Sequence, residues 1–246
     1  VSGKGSKSAG GNAAGPGGGA RDMKVELKRS RKLSHSSQLW LRRQLNDPYV
    51  KRAREQGLRS RAAFKLSEMD DKARFLKPGQ RLVDLGCAPG GWCQVAAGRI
   101  HLQAGKGRIV GIDLLEVDPI PGVDIIQMDF MDEAAPGRLK EMLGGEADGV
   151  MSDMAANTTG HKKTDHLKII ALAEAALEFA REVLAPGGFF VCKLFQGGET
   201  GTLLGELKRD FALVRNLKPS ASRSDSSEMY VLATGYRRPR EAAAED

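Results

Sequence analysis

The chain has 246 residues, 41% of them hydrophobic, enough for one α/β domain of ordinary size with its own core plus a tail. No apolar stretch approaches the length that spans a bilayer and no signal peptide is visible, so the expected setting is cytoplasmic. The net charge of +7 is uneven: residues 1–65 carry 16 Lys and Arg against 4 Asp and Glu, and the remainder is net acidic, which points to a polyanion met through the front of the chain. The three cysteines, Cys87, Cys93 and Cys192, show no CxxC spacing, and the four histidines are scattered. That excludes a zinc-finger pattern, fits a reducing compartment with the thiols as small core residues, and gives no reason to expect a metal site.

Residues 1–20, "VSGKGSKSAGGNAAGPGGGA", have no hydrophobic period and read as a disordered tail. In the basic segment 21–58, Leu33, Trp40, Leu41, Leu45, Tyr49 and Val50 are interleaved with Arg and Lys, which predicts a structured surface offering phosphate contacts. A domain is expected over 59–238, with 239–246 as a flexible end. Its first element is helix-like, 59–75, stopped by Pro78-Gly79. Strands are predicted at 81–86, 107–113, 123–128, 148–153, 187–195, 211–217 and 228–235. Helices are predicted at 91–101, 136–143, 164–184 and 200–209, the long one ending at Pro186-Gly187-Gly188. Alternation of this kind gives a doubly wound, mostly parallel, Rossmann-like α/β sheet of seven strands with helices on both faces. No helix separates the last two strands, so they should pair as an antiparallel hairpin.

In such a sheet ligands sit at the carboxyl ends of the strands, where the strand order reverses. The first predicted strand ends in the glycine turn "DLGCAPGGW" (84–92), followed by helix. Glycine permits the sharp turn and leaves room for a ligand, and the helix that follows opens with unpaired N–H groups. Gly86 and Gly90 stand four apart and no Gly-Lys-Ser/Thr follows, so this is neither a dinucleotide fingerprint nor a P-loop. Taken alone it could be a plain structural turn. The other strands, however, end in or lead to Asp113, Asp129 and Asp153, and the fifth carries Lys193. A single Asp there would be read as a cap or turn residue. Three carboxylates and a lysine at the ends of one sheet favour a nucleoside-bearing cofactor.

Six segments in order, "DLGCAPGGW", "GIDLLEVDPI", "IIQMDF", "SDMAANTTG", "VCKLF" and "SSEMYVLATGYR", with the lead-in "SRAAFKLSEMD", resemble the FtsJ/RlmE family of S-adenosylmethionine-dependent 23S ribosomal RNA (uridine-2′-O)-methyltransferases. The likeness runs from about residue 34 to 236 and implies the methyltransferase version of the same fold. It implies S-adenosyl-L-methionine as cofactor and 23S ribosomal RNA, on the 50S ribosomal subunit, as partner. It also implies that Lys65, Asp153, Lys193 and Glu228 surround the reacting hydroxyl, and that Gly86, Gly90, Trp92, Asp113, Asp129 and Asp153 hold the cofactor. A ribose hydroxyl must lose its proton to become a nucleophile, which calls for a base beside it. A lysine serves if desolvation or a second cation favours its neutral form. A tRNA or cap 2′-O-methyltransferase would share the same four residues, and a noncatalytic ribosome-assembly protein could keep the fold. A nucleotide-linked oxidoreductase is disfavoured by the glycine spacing.

Overall fold

The computed structural model describes residues 44–238, apart from 157–159, 197–199 and 224–225, together with residues 38, 41 and 42. The readings made for 1–20 and 239–246 therefore fall outside the described residues. Contacts divide the chain between Asn46 and Asp47, and every element named below belongs to the unit that starts at Asp47.

That unit begins with α1 (Pro48–Glu55), whose start the sequence specifies locally: Asp47 is the N-cap, its side chain accepts the Tyr49 N–H at 3.0 Å, and Pro48 takes the first helical position. Helix α2 (Ala62–Ala73) follows and ends at Arg74 in the left-handed conformation, four residues before Pro78. Then come β1 (Arg81–Leu85), α3 (Gly91–Arg99), β2 (Arg108–Asp113), β3 (Val123–Gln127), α4 (Ala135–Leu143), β4 (Ala147–Ser152), α5 (Lys162–Val183), β5 (Leu184–Phe195), α6 (Gly201–Asp210), β6 (Phe211–Leu217) and β7 (Glu228–Tyr236).

The seven strands form one sheet in the order β3-β2-β1-β4-β5-β7-β6. All are parallel except β7, which runs antiparallel between β5 and β6. The expected doubly wound sheet and its closing hairpin are both present. Strand boundaries fall within one residue of expectation except at the start of β5, and α2 is shorter at both ends than the expected 59–75. Strand β5 starts at Leu184, not 187, because Leu184 pairs with Ala147 and the register shifts across Pro186-Gly187 before Phe189 pairs with Gly149. Pro-Gly here marks a bulge within a strand, not the gap before one.

Side chains alternate between two cores. Val83, Leu85, Val110, Ile112 and Val150 face a cluster shared with α4, α5 and α6. Leu82, Ile109, Met151, Val191 and Tyr230 face a second cluster under α2 and α3. All three cysteines are buried. The strand order reverses between β1 and β4, so the carboxyl ends of those two strands diverge to leave a crevice. Among the described residues no helix is long and apolar enough to cross a membrane.

Candidate active site

Four elements deliver Lys65, Asp153, Lys193 and Glu228 to one place. Lys65 projects from α2, Asp153 follows the last residue of β4, and Lys193 lies near the carboxyl end of β5. Glu228 opens β7. Because β7 is antiparallel, its first residues pair with the end of β5, Phe195 with Glu228 and Lys193 with Tyr230. An acidic residue at the start of the last strand thereby reaches the edge where the parallel strands finish.

The contacts are direct. Lys65 Nζ lies 2.5 Å from Glu228 Oε1 and 3.9 Å from Asp153 Oδ2. Lys193 Nζ donates to the Asp153 carbonyl oxygen at 2.7 Å and lies 3.3 Å from Asp153 Oδ1. The side chains are 7–17% exposed, so these are largely desolvated ion pairs, and two cations balance two anions. Burial alone would push the Asp153 carboxyl up; the charges of Lys193 and Lys65 and the Tyr230 hydroxyl outweigh it and hold the group below its ordinary range.

Tyr230 completes the cluster and was missed in the sequence. Its ring is fully buried, and its hydroxyl lies 2.7 Å from Asp153 Oδ1, 2.8 Å from Glu228 Oε1 and 3.0 Å from Lys65 Nζ. Burial and the Asp153 and Glu228 charges keep the phenol protonated. With one proton for two carboxylates, it donates to one of them while accepting from Lys65. The missed signal was the strand period: Glu228 and Tyr230 are two apart and must share a face. Ser222 Oγ, 3.2 Å from Glu228 Oε1, supports the same carboxylate from the β6–β7 loop.

Asp153 also lines a pocket of about 510 Å³ at the switch between β1 and β4. Gly86, Asp113 and Asp129 line it too, with apolar walls from Ile112, Leu115 and Met131. Gly86 sits at φ +77°, and a Cβ there would lie 2.9 Å from the Met154 Cα, so the close passage of the two chain segments requires glycine. Asp113 accepts the Ala88 N–H at Oδ2 and the Leu115 N–H at Oδ1, at 2.8 and 2.9 Å. A carboxylate has about four acceptor positions, so both oxygens keep capacity for a ligand's hydroxyls. Asp129 uses Oδ1 for the Met131 N–H.

Gly90 and Trp92 are placed differently. Trp92 is buried, packs against Tyr230 in a tilted arrangement with ring centres 5.7 Å apart, and donates its indole N–H to the Ala62 carbonyl. Gly90, at φ +104°, caps the start of α3. Neither lines the pocket; what they can present to a ligand is the backbone that opens α3. A larger cavity, about 630 Å³, lies at the opposite ends of the strands beside Gln80, Asp148 and Gly188, away from all of these residues.

With this geometry in place, comparisons with known proteins agree on one family. The model of the FtsJ-like methyltransferase family matches residues 58–236. A Xanthobacter autotrophicus protein named ribosomal RNA large subunit methyltransferase E is 66% identical over 217 residues, 88% of this chain and 85% of its own length. A Parvibaculum lavamentivorans protein of the same name is 56% identical over 98% of this chain and 97% of its own. Among solved structures, a Plasmodium falciparum protein described as a ribosomal RNA methyltransferase superposes with a TM-score of 0.65 at 35% identity, over 72% of this chain and 98% of its own. The chain belongs to the FtsJ-like methyltransferase family and is an enzyme whose methyl donor is S-adenosylmethionine.

Proposed function

We propose that the chain transfers a methyl group from S-adenosylmethionine to the ribose 2′-hydroxyl of a uridine in 23S ribosomal RNA, on the assembled 50S subunit, in the cytoplasm. The observation that carries this reading is the double membership of Asp153, which lines the cofactor-sized pocket and anchors both lysines. A cluster built around a hydroxyl thus adjoins the place where a methyl donor fits. The relatives' names support large-subunit ribosomal RNA as the acceptor.

The pocket suits the donor by its chemistry. Asp113 keeps acceptor capacity for ribose hydroxyls, Asp129 Oδ2 for an amino group, and the apolar walls for a base. The N–H groups of Gly91 and Trp92 at the start of α3 suit a carboxylate, whereas that of Gly90 is already donated to the Cys87 carbonyl. Bound there, S-adenosylmethionine supplies a methyl on a sulfonium, an electrophile that needs alignment more than activation.

The remaining work falls to the protein. Asp153 and Glu228 fix the two ammonium heads, and Tyr230 donates to one of these carboxylates while accepting from Lys65. Lys193, once its ammonium has given up a proton to solvent, accepts the 2′-hydroxyl proton as the oxygen bonds to carbon. Lys65 keeps its proton and stabilises negative charge on that oxygen. The basic segment 21–58 supplies RNA contacts, and 59–238 supplies the chemistry. The test is to incubate the protein with methyl-labelled S-adenosylmethionine and separate 50S subunits, 30S subunits and tRNA. Label on one ribose of 23S RNA in the 50S fraction is expected; label on tRNA instead would overturn the acceptor assignment.

A further inference from the structure

Arg59 lies six residues before Lys65, outside every residue given a role above. Its guanidinium is bound by carbonyls, not by carboxylates. Nη1 donates to the Pro89 oxygen at 3.2 Å and to the Asp118 oxygen at 2.5 Å, and Nη2 donates to the Pro119 oxygen at 2.7 Å. Pro89 belongs to the glycine turn; Asp118 and Pro119 belong to the loop that leaves β2. These are the two segments that wall the pocket, through Gly86 and Ala88 on one side and Leu114 and Leu115 on the other.

The backbone of Arg59 is itself fixed. Its N–H donates to Gln94 Oε1 of α3 at 2.8 Å, and Gln94 Nε2 donates to the Gly57 carbonyl at 3.2 Å. The fit is close: a Cβ on Gly90 would lie 2.6 Å from Ile120 Cδ1 and 3.1 Å from Arg59 Nη1. On the strand side, Asp113 holds the same turn through Ala88. The turn is therefore held from two directions: Asp113 ties it to the start of the loop, with the Leu115 N–H on its other oxygen, and Arg59 ties it to the far part of the loop at Asp118 and Pro119. Leu114 and Leu115 in that loop are 63% and 67% exposed, so packing does little to fix their position.

We infer that Arg59 is a positioning residue for the cofactor pocket, fastening the loop after β2 to the glycine turn so that both walls stand in place before the ligand arrives. This rests on the reading that the pocket takes S-adenosylmethionine. Five N–H donors in a rigid plane can reach three carbonyls on two segments; a lysine head cannot span them equally. The same short segment carries Lys65, so it links the pocket wall to the catalytic cluster through one stretch of chain.

The test compares the parent with Arg59→Met and Arg59→Lys. Calorimetry gives the affinities for S-adenosylmethionine and S-adenosylhomocysteine, and methyl transfer to 50S subunits gives KM for each substrate and kcat. The Met variant should bind both ligands about tenfold more weakly and raise the S-adenosylmethionine KM to match. Its kcat at saturating donor and its KM for RNA should stay within about twofold of the parent, and the Lys variant should fall between the two. Unchanged donor affinity in a folded variant overturns the inference, and a raised RNA KM alone would make Arg59 an RNA contact. If the Met variant does not fold, the Lys variant decides: donor affinity equal to the parent's overturns the inference. Failure of the parent itself to bind S-adenosylmethionine would instead overturn the reading of the pocket.

Discussion

Lys193 and Lys65 both end beside Asp153, yet their surroundings differ. Lys65 is held by Glu228 at 2.5 Å and by the Tyr230 hydroxyl, whereas Lys193 is held by one carbonyl and by a carboxylate at 3.3 Å. The less strongly paired head suits the proton acceptor. Lys193→Ala should keep the fold and donor affinity while single-turnover methyl transfer falls roughly 10²–10⁴-fold. Lys193→Arg should not restore it, since a guanidinium holds its proton. A near-parental rate in the Arg variant on saturating RNA would mean that Lys193 only positions the ribose. A second residue, Asp84, sits fully buried in β1 under the glycine turn, with Oδ2 taking the Cys93 thiol at 3.1 Å and Oδ1 without a partner. Burial pushes its carboxyl from 3.8 up to about 7, and the Asp153 and Asp113 charges push the same way. As pH rises across that window the unfolded chain releases this proton and the folded chain keeps it, so the group lowers stability progressively from about pH 4 to 7. Asp84→Asn removes that slope, a difference of roughly 4 kcal/mol at most by pH 7. Denaturant unfolding of parent and variant at several pH values reads it, and parallel curves would show that Asp84 is ionised in the fold. The sequence displayed Asp113, Asp153 and Lys193 because polar residues at strand ends or inside an apolar run stand out, whereas Lys65 and Glu228 were marked only by the family resemblance. Tyr230, Arg59 and Asp84 stayed hidden because each looks ordinary in its own segment, and only partners 30 or more positions away, or burial, give them meaning.

The β5–β7 pair is the element on which the cluster depends. Residue period two sets Lys193, Tyr230 and Glu228 on one face, and the antiparallel register sets the end of β5 against the start of β7. Alternation of apolar runs with helical stretches, and Gly or Pro between them, made nearly every element readable in the chain. What it could not reveal was the bulge at Pro186-Gly187, since a strand interrupted by Pro-Gly and a loop before a strand have the same local sequence. Helix α1 shows a similar limit. In the sequence it reads as part of a basic, phosphate-contacting surface, but long-range contacts also make it a brace. Asp47 caps it and pairs with Arg61 and Arg223, Arg61 also donates to the Ala221 carbonyl, and Glu68 receives both the Tyr49 hydroxyl and the Ala221 N–H. Ala221 adjoins Ser222, which supports Glu228. Asp47→Ala should therefore do two things. Stability should fall by about 1–2 kcal/mol from the lost cap and pairs. Turnover should fall more than donor affinity, because the disturbed β6–β7 loop carries Ser222 and not the pocket wall. Calorimetric donor binding beside single-turnover rates separates the two effects, and an equal loss in both would show that α1 acts on the pocket.

Charge is arranged across the whole molecule as if for a polyanion: a basic front and a mildly acidic remainder, with the cluster's own two cations neutralised internally. RNA affinity must then come mainly from cations outside the site. Arg42 and Arg54 are exposed, and Arg52 is exposed as well, although its guanidinium also lies 4.9 Å from the Phe64 ring centre and 5.5 Å from that of Tyr49. The three predict different outcomes. If Arg42 and Arg54 meet phosphates, Arg42→Ala/Arg54→Ala should weaken binding to 50S subunits and lower the slope of log K against log salt by about 1–2, since each phosphate contact contributes roughly 0.7–0.9. Stability should not change, because surface charge away from a packed partner is worth little. Arg52→Ala should lower the slope by at most about 1 and also cost about 0.5–1 kcal/mol of stability through the lost ring contacts. Donor affinity should be unaffected in all three, because the pocket is lined by other residues. Filter binding across a salt series, with thermal unfolding beside it, reads each term separately. An unaltered slope in the Arg42/Arg54 double variant would remove those two side chains from the RNA surface and leave the contacts to the other Lys and Arg of the chain, first those of segment 21–58.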